Sequence, residues 1–423
     1  MNKLRTFLVK PGVISALAAI LSAAIGILFG LLMLFVFDSS NAVSGFFRMT
    51  TASFASLNEF ARTLYQASPL ILTGLSVGFA FKTGLFNIGA PGQYTVGAFF
   101  ALMAGIVYKQ PWWVCMFCAM LGGALWGLWP GLFKALFNVN EVITSIMFNW
   151  IGLFTVNLFM SNTPEILWNH YGGPVANRTP PLALANAAAV IPKQGLDVLF
   201  GGSRYINISI FIAIACAIVV HVVLNKTTFG YELRACGYNR DASTYAGVSA
   251  TRCIILSMVI AGALAGIAGG IYFLSGNAEY VIDKNLNSMG FNGIPVALLA
   301  SSHPIGTIFS AMFVSYIQVG GDALQPEYIP ETIEIIIAVI IYLAAFALLM
   351  RDILAKFFKP REPVPVDGGS ENTEEEDGAA GEPGGSDGAT GEGGSSVYGE
   401  PGGAADEPDD SVERPDKDGE DKA

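Results

Sequence analysis

Charge is scarce in this chain: of 423 residues only 13% are Asp, Glu, Lys or Arg, while 52% are hydrophobic. That balance excludes the two or three soluble domains that the length alone would suggest, and it is the composition of a membrane protein. The little charge present is unevenly spread. Residues 362–423 carry 20 acids and 3 bases, a net −17, which leaves residues 1–361 with 14 acids and 20 bases, a net +6. Those bases lie singly between apolar runs and form no stripe, which speaks against a nucleic-acid partner. Histidine is nearly absent: His170, His221 and His303 are far apart in sequence. With no Walker A segment, no H-E-x-x-H and no G-x-S-x-G, no catalytic residue and no metal site is expected, and the chain does not read as an enzyme. The five cysteines are scattered over apolar segments and give no disulfide framework, so Cys115-x-x-Cys118 reads as packing on one helix face. Ionisable residues deep inside the apolar runs are essentially missing too, which removes the usual mark of ion or proton coupling.

What the sequence does contain is a series of apolar runs near 12–37, 64–81, 87–107, 112–134, 141–160, 206–225, 253–275, 290–302, 304–320 and 331–350. They predict an all-α polytopic membrane protein with about ten transmembrane helices over residues 1–361. The first run is too long for a signal-peptide h-region and reads as a retained span. The second and eighth are short, which at membrane depth suits segments buried in protein or lining a cavity. Placing both termini in the cytoplasm puts 13 Lys/Arg inside and 7 outside, the orientation favoured by the positive-inside rule.

On that topology residues 38–63, with Phe46, Phe47, Phe54 and Phe60, form an amphipathic stretch on the outer membrane surface, and 161–205 an irregular extracellular loop. Residues 362–423 hold 14 glycines beside their acids and almost nothing apolar to bury, so a disordered, acidic, Gly-rich cytoplasmic tail is expected. Phe86-Asn87-Ile88-Gly89 with Pro91 opens the third run from inside, and Phe291-Asn292-Gly293 with Pro295 opens the eighth from outside. That echo predicts an inverted repeat of spans 2–5 and 7–10.

Neutral amides and hydroxyls supply the interior polarity. Asn87, Gln93, Thr144, Asn149 and Asn292 are candidate substrate-path residues, since such groups can hydrogen-bond an uncharged polar solute, though each could equally bridge helices. Gly262-x-x-x-Gly266 with its flanking alanines reads as a close-packing face. Glu141, after Asn138-Val139-Asn140, reads as a helix-start charge. The cytoplasmic loop 226–252 combines two short helices, glycine punctuation and apolar residues that a plain connector would not need, as expected of a surface that docks in a partner's groove.

At that loop the chain resembles the coupling region of permease subunits in the branched-chain amino acid and simple sugar class of ABC importers. The likeness extends to Gly84-Leu85-Phe86-Asn87-Ile88-Gly89-Ala90-Pro91-Gly92-Gln93 and to Asn140-Glu141-Val142-Ile143-Thr144-Ser145-Ile146-Met147-Phe148-Asn149, which resemble the nucleoside branch of that class, with a departure at Pro91, where the branch often has an acid. The resemblance implies a type II importer in the bacterial cytoplasmic membrane that translocates a nucleoside or simple sugar. It also implies cytosolic ATPase subunits holding ATP and Mg, no cofactor on this chain, an extracellular substrate-binding lipoprotein, and a second permease, with a heterodimer preferred. Within the loop, Glu232, Leu233, Arg234, Gly237, Tyr245 and Gly247 are the candidate ATPase-coupling residues. Other readings are a permease for a branched-chain amino acid or another polar metabolite, an ion-coupled secondary transporter, or a membrane scaffold.

Overall fold

The computed structural model describes residues 11–358, and the Gly-rich acidic segment and Lys3, Arg5 and Lys10 lie outside the described residues. Helix α1 (Pro11–Phe37) is followed by the short α2 (Ala42–Thr51), then α3 (Leu57–Lys82), α4 (Ala90–Leu102), α5 (Trp112–Phe137) and α6 (Glu141–Ser161). After a stretch of single turns come α7 (Ser209–Lys226), α8 (Thr228–Tyr238), α9 (Arg240–Tyr245) and α10 (Ala250–Leu274). A turn at Ser288–Phe291 leads into α11 (Gly293–Leu299), α12 (Pro304–Asp322), α13 (Pro330–Ala345) and α14 (Ala347–Phe358).

Among the described residues eight helices are long and apolar enough to cross a membrane: α1, α3, α4 with its π-type extension to Val107, α5, α6, α7, α10, and the α13–α14 pair over Pro330–Leu354. The runs 290–302 and 304–320 are not among them. The first is broken at Asn292 and closes in a turn where Ser301 and Ser302 both take left-handed backbone, φ 51° and 54°. The second forms the 19-residue α12, whose apolar character is diluted by Ser310, Ser315 and Gln318. Helix α3 starts seven residues before the expected 64–81 run because Ser56 caps it: the Ser56 side chain accepts from the Glu59 backbone N–H, 3.2 Å, and the polar first turns are helical outside the apolar segment.

The centre of the bundle is α10, packed on α3, α4 and most extensively on α5. Small residues allow this. A Cβ at Gly266 would collide with the Ala119 carbonyl, and one at Gly262 with that of Gly123, so the Gly262-x-x-x-Gly266 face meets α5 backbone to backbone. Around that axis lies the main core, with Tyr94, Phe79, Leu70, Ile71 and Leu72 fully enclosed. A second cluster, Leu34, Met49, Ile317, Leu324, Ile336 and Ile340, ties α1 and α2 to α12 and α13. Helix α2 buries Ala42, Gly45 and Met49 and leaves Phe47 exposed, so the 38–63 stretch is amphipathic but rests on the bundle with one face. The two echoing segments also meet: Gly290 lies directly against Pro91, leaving no room for a side chain.

Candidate functional site

A groove of about 1000 Å³ runs along the bundle flank between α3, the Ser288–Phe291 turn, α11, α12, α13 and α14. Three carboxamides reach it from three different elements: Gln66 from α3, Asn292 from the break before α11, and Gln318 from α12. The buried Oε1 atoms of Gln66 and Gln318 accept no hydrogen bond within the protein. Buried acceptors are normally paired, so these two are available to a donor brought into the groove. One wall is an α13 face repeating at helical spacing, Glu334, Ala338 and Tyr342, and the Tyr342 ring stands edge-on to Phe346 at 5.2 Å. The Tyr342 side of this wall is open, with Tyr342 65% exposed and Leu349 55%. Carboxylates stand at one end: Asp322 is paired with Arg62, which also approaches Glu59 at 3.6 Å. The groove's interior is therefore aromatic and rich in amides, with Asp322 paired at one end and Glu334 exposed on the α13 wall.

Of the five expected path residues, only Asn292 lines this groove. Asn87, Gln93 and Asn149 are instead buried in one hydrogen-bonded cluster where α4 begins. Asn87 Nδ2 donates to Gln93 Oε1 at 2.8 Å and to Ser76 Oγ at 3.0 Å, and Gln93 Nε2 donates back to Asn87 Oδ1 at 3.1 Å. Asn149 Oδ1 accepts from the Gly92 N–H at 2.9 Å, and its Nδ2 donates to the Ile88 carbonyl at 3.0 Å. Thr144, buried one turn earlier on α6, returns its hydroxyl to the Asn140 carbonyl. The physical reason is the irregular chain at 83–89: Asn149 of α6 supplies partners to the Ile88 carbonyl and the Gly92 N–H, while Asn87 and Gln93 satisfy each other and Ser76. Glu141 is capped as expected, with Asn140 accepting from the Val142 N–H, and its carboxylate pairs with Lys134 at 3.0 Å.

The loop 226–252 is two helices lying on the end of the bundle. Thr227 caps α8 by accepting from the Gly230 N–H, and Asn239 caps α9 by accepting from that of Ala242. Gly230, Leu233 and Cys236, spaced by three, face the bundle. Leu233 is fully buried, so it is not presented to the cytosol as expected: its face is covered by the chain's own core. Gly237 sits against the Lys82 carbonyl, too close for any side chain, and pins the loop to the α3–α4 connection beside Gly84, φ 73°. Gly247 takes φ 88° and turns the chain into α10. The outward face carries Tyr231, Glu232, Tyr238, Arg240 and Tyr245, with Tyr238 90% and Tyr245 95% exposed, while Arg234 is half-buried.

Gln66, Glu334, Tyr342, Phe346, Tyr231 and Tyr238 were not singled out by the sequence. The signal for the α13 wall is the 334, 338, 342 spacing, and for the loop it is the seven-residue spacing of Tyr231, Tyr238 and Tyr245.

Residues 60–345, more than half of the chain, match the family described as "Branched-chain amino acid transport system / permease component". The chain is 35% identical over 350 residues to the guanosine ABC transporter permease protein NupP of Bacillus subtilis, an alignment covering 81% of this chain and 97% of that one. It is 34% identical over 349 residues to the nucleoside ABC transporter permease protein NupB of Lactococcus lactis, covering 80% and 93%. With the glucose ABC transporter permease protein of Haloferax volcanii it shares 28% over 315 residues, covering 72% and 80%. No solved structure matches.

Proposed function

The chain belongs to the branched-chain amino acid transport system permease component family, and on that premise we propose that it is the permease subunit of an ATP-driven importer whose solute is a nucleoside. The observation that carries the solute reading is the groove: Gln66, Asn292 and Gln318 converge in it, two of them with unpaired acceptors, beside the Tyr342 and Phe346 rings. A nucleoside has hydroxyl and N–H donors for amide oxygens, a flat base for an aromatic wall and no net charge, so it needs no buried counter-ion. A simple sugar satisfies the amides but makes less use of the rings. The groove is open along α13, and a second permease subunit, different in sequence, would close it into a path.

In this reading the chain sits in the bacterial cytoplasmic membrane with both termini inside, the eight long apolar helices being joined by α12 and the broken Ser288–Leu299 segment to make ten crossings. Spans 2–5 and 7–10 form an inverted repeat, supported by the contact of Gly290 with Pro91. An extracellular binding lipoprotein delivers the solute to the 161–205 side. ATP and Mg reside on cytosolic ATPase partners, which dock on Glu232, Arg234, Tyr245 and the neighbouring exposed tyrosines. Leu233, Gly237 and Gly247 hold those side chains in place and pass the motion to the α3–α4 connection. Asn87, Gln93, Thr144 and Asn149 keep the entry to α4 and α6 rigid.

The test is uptake of a labelled nucleoside by the assembled transporter carrying Gln66→Ala, Asn292→Ala or Gln318→Ala. Loss of one solute hydrogen bond is worth about 1 kcal/mol, so each should raise the KM for uptake roughly fivefold with the complex intact. Three unchanged KM values would remove the groove from the path.

A further inference from the structure

A second cavity, about 740 Å³, lies near the loop end of the bundle between α1, the Ser301–Ser302 turn, α12 and α14. Its walls are apolar: Ala16, Ala19 and Ala23 of α1 face Leu299, Phe309 and Phe313. Its charged lining is basic, with Lys82 from the last turn of α3 and Arg351 from α14, and among the described residues no carboxylate lines it. Lys82 lies within electrostatic reach of both Arg351 and Arg234 of α8. Among the described residues Lys82 and Arg234 form no ion pair. Arg351 meets only its neighbour Asp352, at 3.1 Å, an exposed pair that holds little. Like charges left together beside an apolar slot are unfavourable unless an anion joins them.

His303 and Ser301 complete the mouth. His303 caps α12, its Nδ1 facing the Gly306 N–H at 3.3 Å, and its ring lies 5.4 Å from that of His221. Burial, with His221 and Lys82 beside it, lowers the His303 pKa from its ordinary value, so at neutral pH the ring is an uncharged hydrogen-bonding group. Ser301 is held in left-handed backbone by its N–H bond to the Leu298 carbonyl, 2.8 Å, a conformation that costs free energy in a residue other than glycine.

We propose that this cavity binds an anionic phospholipid, its phosphate drawn between Lys82 and Arg351 and an acyl chain lying along α1 against Phe309 and Phe313. The charge is complementary, the slot is apolar where a chain would run, and basic pockets between helices at the inner end of a bundle suit anionic lipid headgroups. A free phosphate would leave the apolar part of the cavity unfilled. The acidic segment from Glu362 could meet the bases, but with 14 glycines and 20 acids in 62 residues it has little to place against the apolar walls. The inference requires only that the chain is membrane-embedded and is independent of the solute.

The experiment uses the intact, purified transporter in detergent, with bound lipid measured by native mass spectrometry and stability by thermal melting. Phosphatidylglycerol, phosphatidylcholine and glycerol phosphate are added in turn. Phosphatidylglycerol is expected to be retained and to raise the Tm by several degrees, with the other two without effect. The double variant Lys82→Gln/Arg351→Gln should lose at least tenfold in lipid occupancy. Ala16→Trp, an exposed position that narrows the slot and leaves every charge in place, should do the same. Equal retention of phosphatidylcholine, an equal effect of glycerol phosphate, or wild-type occupancy in either variant would overturn the proposal. So would binding that appears only after truncation behind Arg361, which would make the acidic segment the occupant. If a variant fails to assemble, the comparison of the two lipids on the wild-type transporter decides.

Discussion

Asn149 and Gln318 show how differently two buried amides can be used. Both Asn149 groups are spent on backbone partners, the Gly92 N–H and the Ile88 carbonyl, whereas Gln318 keeps a buried oxygen with nothing to accept from. Asn149→Ala is therefore expected to leave an unsatisfied N–H and cost about 1–3 kcal/mol, seen as a lower Tm, while the KM for uptake in surviving transporter stays unchanged. Gln318→Ala should do the reverse, raising KM at unchanged Tm, and the two measurements together separate a bridging amide from a solute contact. The residue types at this scale were legible in the sequence, including neutral amides in place of charges. Their assignment was not, because an amide that satisfies an irregular backbone and one that faces a groove are the same letter in the same kind of apolar run. Asn292 lines the groove, at the point where the run around it is broken.

Among the elements, α10 and the α8–α9 loop carry the most specific demands. Gly266 and Gly123 touch backbone to backbone, so Gly266→Leu should force α10 off α5 and reduce the yield of folded protein, with a cost at or above the usual 1–3 kcal/mol of overpacking. Protein abundance in the membrane and Tm both read this out. In the loop, Tyr238→Asp and Tyr245→Asp change side chains with almost no contacts, so Tm should stay at the wild-type value while solute-stimulated ATP hydrolysis by the assembled complex falls severalfold. Leu233→Asp buries a charge without a partner and should lower Tm by itself. The Asn239 cap of α9 was not singled out, whereas the start of α6 was readable from Asn140. Which face of α8 turns inward was not, because a three-residue spacing defines a stripe without naming what covers it, and the cover here comes from distant parts of the chain. The start of α3 was hidden for a similar reason: Asn58, Glu59 and Arg62 are helical by virtue of the Ser56 cap, outside the apolar run that marks a span.

At the scale of the whole molecule, the low charge, the apolar runs and the basic body already defined a helical membrane protein, and the eight long apolar helices agree with that. The groove along α13 was not foreseeable, since it is assembled from residues between 66 and 349 that only the packing brings together. Truncation after Arg361 removes a segment with little apolar surface, so expression and the Tm of residues 1–361 should be unaffected, as checked by fluorescence-detected chromatography and melting. The sequence has no Walker A segment, and among the described residues the groove's only carboxylates are Asp322 and Glu334 at the rim, with no Lys, Arg or His lining it. The most direct measurement of energy coupling is guanosine uptake into proteoliposomes containing this chain with the proposed second permease, ATPase and binding protein, with ATP on the ATPase side and ionophores collapsing every ion gradient. Accumulation that requires ATP, survives the ionophores and is lost with Tyr238→Asp/Tyr245→Asp is the expected result, whereas ionophore-sensitive uptake by this chain alone, without ATP, would contradict it.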